Sequence, residues 1–189
     1  GAQNNFTFVL NHARGEFFMW AGSDDRWDKD FIRSLLDALR SDDRLVSAFC
    51  PFINMDENDQ RLGRVIKFDF SGGTSIRRIL RFNLTLDNAR DSFVYGLHRR
   101  QLIKDMKIPV WWWINANIPM NTVYPVLTFF LARGGYIQVG TKPLWLRRKH
   151  FHSKPRHRKT NFEGSYTLSH LAFMLRKVNV LCESMQAVY

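Results

Sequence analysis

The fold is decided by an apolar stretch that runs into two adjacent carboxylates, Gly15-Glu16-Phe17-Phe18-Met19-Trp20-Ala21-Gly22-Ser23-Asp24-Asp25-Arg26-Trp27. Residues 16–20 are typical of a buried strand, and the small residues after them predict that the backbone leaves the core there. The acidic pair then presents hard oxygen ligands at the carboxyl edge of a sheet. This pattern predicts a strand followed by a divalent-metal site able to carry a phosphate.

The elements around this stretch alternate between strands and helices. A helix over residues 5–13 ends at Gly15, and residues 28–40 form an amphipathic helix with acids in its first turn. Downstream, the pattern predicts a hairpin of strands 46–53 and 64–70, a strand over 92–97, a helix over 98–104, a helix over 121–132, a strand over 136–139 and an amphipathic helix over 162–185. The fold class is therefore α/β.

Positive charge is concentrated in the second half of the chain. Residues 1–105 hold 16 Lys and Arg against 15 Asp and Glu, whereas residues 106–189 hold 12 against 2. The densest run, residues 147–159, would attract phosphates, an anionic bilayer or nucleic acid, or would simply be a solvated tail. Charge alone does not choose among these alternatives.

Length and cysteine content set further bounds. The 189 residues are 45% hydrophobic, which is enough for one sizeable core. Cys50 and Cys182 have no metal-ligand spacing, so we expect reduced thiols in a cytoplasm. No apolar run is long enough to span a membrane.

The residues from Ala13 to Trp27, with Asp30-Phe31-Ile32 after them, resemble the acidic-motif segment of glycosyltransferase family 2. Two later segments are similar to family elements in the expected order: Tyr95-Gly96-Leu97-His98-Arg99-Arg100 on the acceptor side, and the closing Arg-x-His-x-x-Ser segment within residues 143–153. The resemblance implies a partial GT-A, Rossmann-like sheet flanked by helices. It implies two regions, a transferase part over 1–153 and a basic linker with a C-terminal helix over 154–189.

The family's order also implies strand and helix units before the acidic motif, which hold the nucleotide. The resemblance begins in the middle of that pattern, so we expect this chain to be the C-terminal portion of a longer transferase. Such a portion would leave one edge of a parallel sheet unpaired.

The resemblance assigns roles around the acidic pair. It implies that Asp25 is a direct ligand of Mn²⁺ or Mg²⁺, and that Asp24 faces the donor's ribose or reaches the metal through water. It places Arg148 on the diphosphate and His150 as a second metal ligand, although His150 is equally explained as a surface histidine. The alternative for both acids is that they cap the helix beginning near Asp28.

The acceptor side and the catalytic base are less constrained. Trp111, Trp112 and Trp113 offer flat faces for stacking on an acceptor sugar, or else belong to the core. Where the family commonly has its base, this chain has Asn121-Thr122, so the catalytic residue is unknown. Asp87, Asp91 and Asp105 are equally explained as solvated or capping acids, and none is assigned.

The resemblance thus predicts a metal-dependent glycosyltransferase that moves a sugar from a nucleotide-diphosphate donor to a glycan or lipid-linked acceptor. We expect a cytoplasmic protein, with its basic C-terminus in peripheral contact with the cytoplasmic face of a membrane. Two alternatives stay open: a basic nucleic-acid-binding module, which the neutral first half and the acidic pair disfavour, and a catalytically inactive transferase fragment.

Overall fold

The computed structural model describes residues 2–85, 88–105 and 123–149, and these form two four-stranded sheets flanked by helices. In chain order the elements are α1 (Ala2–His12), β1 (Phe17–Phe18), β2 (Arg26–Trp27), α2 (Phe31–Ser41), β3 (Leu45–Phe49), β4 (Phe52–Met55), β5 (Arg61–Ile66), α3 (Ser75–Leu84), a 3₁₀ helix (Asn88–Tyr95), β6 (Leu97–Arg99), α4 (Arg100–Ile103), α5 (Val123–Arg133), β7 (Gly135–Gln138) and β8 (Trp145–Arg148). The predicted α/β class is confirmed.

Each sheet contains one parallel pair of strands. The first sheet has the order β1-β6-β3-β7, with β3 and β7 parallel and the other pairs antiparallel. The second has the order β2-β8-β4-β5, with β4 and β8 parallel. The sheets are therefore mixed, and the parallel sheet that the family resemblance implied is not observed. In the described ranges, β1 lies at the edge of the first sheet.

Two stretches of chain pass side by side from one sheet into the other. One leaves β3 through Cys50 and Pro51 into β4, and the other leaves β7 and enters β8. The Val139 amide donates to the Phe49 carbonyl, and the Leu144 amide donates to the Pro51 carbonyl. The predicted single strand over 46–53 was wrong in this respect, because proline has no N–H to continue a ladder and the chain changes sheet there.

The predicted hairpin is confirmed between β4 and β5, which pair antiparallel. Its turn is built on Asp56, whose carboxylate accepts from the amides of Asn58 and Gln60. Strand β5 begins and ends earlier than the predicted 64–70, since it runs from Arg61 to Ile66. The turn is therefore fixed by an acidic side chain that bonds its own backbone.

The strand predicted over residues 92–97 was wrong, because most of that stretch lies in the 3₁₀ helix. Its apolar residues Phe93 and Val94 are fully buried by tertiary packing. Gly96 closes the turn, and a Cβ there would lie 2.5 Å from the Ala48 carbonyl. The ladder begins only at Leu97, after this close approach of two backbones.

Most predicted helices are confirmed. Helix α2 buries Phe31, Leu35 and Leu39 at helical spacing, as its periodicity indicated. Helix α5 and β7 also lie where they were expected. The strand predicted over 16–20 pairs only at Phe17 and Phe18, because its partner β6 is three residues long.

Several predicted features fall outside the described ranges, namely Trp111, Trp112 and Trp113, His150, and the C-terminal region 154–189. Among the residues that the structure describes, no helix combines the length and apolar character that crossing a membrane requires. Cys50 is a buried free thiol, and burial raises its pKa to about 12.

Candidate functional site

The acidic pair is anchored by the short ladder between β2 and β8. Asp25 directly precedes β2, where Arg26 pairs with Leu146 and Trp27 pairs with Trp145. The two indole rings stack with centroids 5.3 Å apart and an interplanar angle of 7°. Trp145 is fully buried, so the acidic loop is held to the core by a rigid aromatic contact.

Asp25 is held against β8 by its carboxylate. Its Oδ1 accepts a hydrogen bond from the backbone N–H of Arg148 at 2.9 Å. Burial raises the pKa of Asp25 above its usual range, and the nearby charge of Asp24 acts in the same direction, while the Arg148 amide opposes the shift. The buried indole N–H of Trp145 also lowers this pKa, although it lies outside hydrogen-bonding geometry. The site thus holds a carboxylate that is costly to ionise without a cation.

Gly22 leaves space into which both carboxylates point. A Cβ at this position would lie 2.7 Å from Asp25 Oδ2 and 3.2 Å from Asp24 Oδ1. The glycine therefore allows two oxygens from adjacent acids to converge on one small volume. Carboxylate oxygens are ligands that Mg²⁺ and Mn²⁺ accept.

Arg148 joins the acidic loop to the turn of the β4–β5 hairpin. Its Nε donates to the Asp24 carbonyl at 3.0 Å, its Nη1 donates to the Asp56 carbonyl at 2.6 Å, and its Nη2 forms an ion pair with Asp59. The side chain is only 15% exposed. Arg148, which the resemblance placed on the diphosphate, therefore also braces the backbone that carries Asp24 and Asp25.

Asp59, which no sequence motif indicated, is the acid that completes this brace. Asp59 has a φ of 66° in the hairpin turn, and its second oxygen pairs with Arg26. The only local signal was a turn rich in Asn and Asp, which predicts backbone geometry and no long-range partner. Its contact with Arg148 spans 89 residues and follows from the β4–β8 pairing.

The alternative that the acidic pair caps α2 is wrong for Asp25. The N-cap of α2 is Asp30, whose side chain makes no capping hydrogen bond. Asp28 fixes the turn before the helix, since its Oδ1 accepts from the Asp30 amide at 3.0 Å and its Oδ2 pairs with Lys142. These contacts lower the pKa of Asp28, the opposite of what happens at Asp25. The two acids therefore serve different purposes although they are three residues apart.

The acceptor-side segment contributes a core histidine. His98 is fully buried, with Nδ1 2.7 Å from Ser47 Oγ and Nε2 2.9 Å from the Val94 carbonyl. The Nε2–H donates to the carbonyl, and Nδ1 accepts from the hydroxyl. Burial lowers the pKa of His98 to about 4, so the imidazole is neutral at physiological pH and joins the 3₁₀ helix to β3 and β6.

We predict a stability transition between pH 6.5 and pH 4 that depends on His98. In this window the unfolded chain binds a proton that the folded chain excludes. The contribution of neutral His98 to the free energy of unfolding is therefore fully present above pH 6.5, and it falls by about 3 kcal/mol as the pH is lowered to 4. His98→Gln keeps a donor and an acceptor but does not titrate. Denaturant unfolding across this pH range should give a flatter profile for the variant. An identical slope in both proteins would contradict the assignment.

Most of the other predicted site residues lie outside the residues that the structure describes. Trp111, Trp112, Trp113, Asn121, Thr122 and His150 all lie outside the described ranges. Arg147, next to Arg148, donates to Asn54 and Ser92 and stacks on Phe52. In residues 2–85, 88–105 and 123–149, no three His, Cys, Asp or Glu side chains come together as a metal-binding group. The candidate ligands described are thus the two aspartates.

A depression lies beside the starts of β3 and β7, and none of its lining residues belongs to the acidic pair. This open cavity of about 430 Å³ is bordered by the start of β3, the start of β7 and the Gly72-Gly73 turn. Arg44 in its wall pairs with Asp42, and Arg78 is bonded to the Leu131 carbonyl. Because both arginines already have hydrogen-bond partners, the acidic loop remains the candidate site.

Two mixed sheets flanked by helices, with an acidic pair directly before β2, define this chain as an α/β protein with a partial GT-A fold. A family model described as glycosyl transferase family 2 matches residues 1–106, more than half of the 189 residues. The chain therefore belongs to glycosyltransferase family 2. No curated protein matches it.

Proposed function

We propose that this chain carries the metal- and diphosphate-handling part of a transferase that moves a sugar from a nucleotide-diphosphate donor to a glycan or lipid-linked acceptor. The observation that supports this most directly is the convergence of Asp24 and Asp25 over Gly22 in a member of family 2. The position of Asp25 against β8 and its raised pKa agree with a ligand that is neutralised by a cation.

In this proposal Asp25 binds Mn²⁺ or Mg²⁺ directly, and Asp24 binds it through water or faces the donor's ribose. His150 is proposed as a further ligand from the segment after β8. A cation bound there would supply Lewis-acid stabilisation of the charge that grows on the diphosphate as the glycosidic bond breaks. The chain's own contribution is to hold the two carboxylates in place through Arg148 and the β2–β8 ladder.

Arg148 is proposed to contact the diphosphate while it braces the loop. Its described contacts use three of the five guanidinium N–H groups, one each on Nε, Nη1 and Nη2. We place acceptor stacking on Trp111, Trp112 and Trp113. We further propose that residues 1–153 form the transferase part, and that the basic region 154–189 lies against the cytoplasmic face of a membrane.

A titration that follows tryptophan fluorescence tests this function, because Trp27 and Trp145 lie beside the acidic pair. We expect a nucleoside diphosphate to change the emission only when Mn²⁺ is present, and Asp25→Ala to abolish the change. Binding of oligonucleotides that ignores both Mn²⁺ and Asp25 would instead support a nucleic-acid module. Nucleotide binding without sugar transfer to any glycan or lipid-linked acceptor would support an inactive transferase.

A further inference from the structure

Helix α3 exposes an apolar stripe to solvent. Ile76 is 63% exposed, Leu80 is 39% exposed and Leu84 is 67% exposed. These residues are four apart, so they lie in one line along the helix. The opposite face is buried through Ile79 and Phe82, which shows that α3 already has its core contact and carries a second apolar surface.

Positive charge lies beside this stripe. Arg77 and Arg81 are exposed on α3, next to the stripe at 100° per residue, and the helix contains no acid. The end of α5 is tied to the start of α3, since Ser75 Oγ donates to the Ala132 carbonyl, and it brings exposed Arg133 nearby. We call Ile76, Leu80, Leu84, Arg77 and Arg81 the α3 face.

We infer that the α3 face docks on an anionic lipid bilayer. Aliphatic side chains flanked by arginines are the combination that an interfacial helix uses, with the apolar atoms below the headgroups and the cations among them. This inference is independent of the sugar-transfer proposal, although it would place the transferase at the surface that holds a lipid-linked acceptor.

Charge distinguishes most of the other occupants of this face. Residues 106–159 carry 10 Lys and Arg and no Asp or Glu, so that part of the chain would repel Arg77 and Arg81. The predicted helix over 162–185 carries two charges of each sign, and its packing on the stripe would show as vesicle binding that the triple variant does not lose. A second copy of the chain would bring the same arginines together across a two-fold axis. A nucleic acid would pair with the arginines but would leave the aliphatic stripe in water. An anionic bilayer would bury the aliphatic side chains below the headgroups and pair the two arginines with the negative headgroups.

The test is co-sedimentation of the full chain with phosphatidylglycerol-containing vesicles and with neutral phosphatidylcholine vesicles. We expect binding to the anionic vesicles only. The double variant Arg77→Gln with Arg81→Gln should bind about 30-fold more weakly, because each basic residue near the surface contributes about a fivefold factor. The triple variant Ile76→Ser, Leu80→Ser, Leu84→Ser should lose at least tenfold in affinity, because three aliphatic side chains no longer enter the bilayer.

Matched controls separate the face from general charge and folding. Arg33→Gln with Arg40→Gln removes two exposed arginines from α2, and Leu102→Ser removes an exposed leucine from α4. Both controls should bind nearly as wild type does, and circular dichroism should show all variants folded. Equal binding by wild type and the triple variant would overturn the inference. So would a wild-type dimer that the triple variant converts to a monomer without any lipid binding.

Discussion

Asp25→Asn is expected to abolish the thermal stabilisation that Mn²⁺ gives to the wild-type chain, without destabilising the metal-free fold. The asparagine keeps the shape of the side chain and an oxygen that accepts from the Arg148 amide. The ladder between β2 and β8 therefore stays intact. What the substitution removes is the negative charge that the proposed cation requires.

The sign of the stability change follows from the pKa of Asp25. Burial raises this pKa above 3.8, so the folded chain favours the protonated form and loses stability as pH rises through the folded-state pKa. At neutral pH the ionised carboxylate is thus a cost to the metal-free fold. Removing it should stabilise that fold by less than about 1 kcal/mol, because solvent screens a partly exposed group.

Calorimetry measures the effect of Mn²⁺ as a shift in Tm. At a Mn²⁺ concentration about 100 times Kd, binding stabilises a protein by about 2.7 kcal/mol, or about 5–10 °C in Tm for a chain of this size. Wild type should show this shift and Asp25→Asn should not. Asp28→Asn is the matched control, since Asp28 bonds the Asp30 amide and Lys142, and it should keep the shift. A full shift in Asp25→Asn would contradict the assignment.

Arg148→Gln is expected to cost both stability and metal affinity. The substitution removes three charge-assisted contacts, to Asp24, Asp56 and Asp59, and should lower the free energy of unfolding by about 2–3 kcal/mol. Because Arg148 positions the acidic loop, we also expect Mn²⁺ affinity to fall about 10–100-fold. Denaturant unfolding and a calorimetric Mn²⁺ titration measure the two effects.

Arg26→Gln is the matched control for this prediction. Arg26 pairs with the same Asp59, but its side chain is 60% exposed. An exposed ion pair contributes under about 1 kcal/mol, so Arg26→Gln should leave both stability and Mn²⁺ affinity close to those of wild type. If the two variants lost stability equally, Arg148 would be an ordinary surface contact and not a brace.

Features with a local cause were predictable from the sequence. The spacing of Phe31, Leu35 and Leu39 specifies the buried face of α2, and the Gly134-Gly135 pair marks the end of α5. The hairpin was predictable because Asp, Asn and Gly in the intervening loop favour a turn. Each of these signals acts within a few residues along the chain.

Features with a long-range cause were not predictable in this way. Strand β8 is formed by pairing with β4, about 90 residues earlier, and its residues Trp145–Arg148 show no alternation of their own. The brace from Arg148 to Asp59 depends on that pairing. Gly22 was visible in sequence as a small residue before the acids, but only the structure shows the two carboxylates pointing over it.

The central claim is that Asp24 and Asp25 hold a divalent cation, and electron paramagnetic resonance of Mn²⁺ tests it most directly. Free Mn²⁺ gives a strong solution signal that is lost when the ion binds to a protein. Wild type and Asp28→Asn should reduce this signal equally in a titration. Asp25→Asn should need about 100-fold more protein for the same reduction, because the loss of a metal contact raises the Kd for Mn²⁺ about 100-fold. An equal loss of signal with Asp25→Asn would contradict the account.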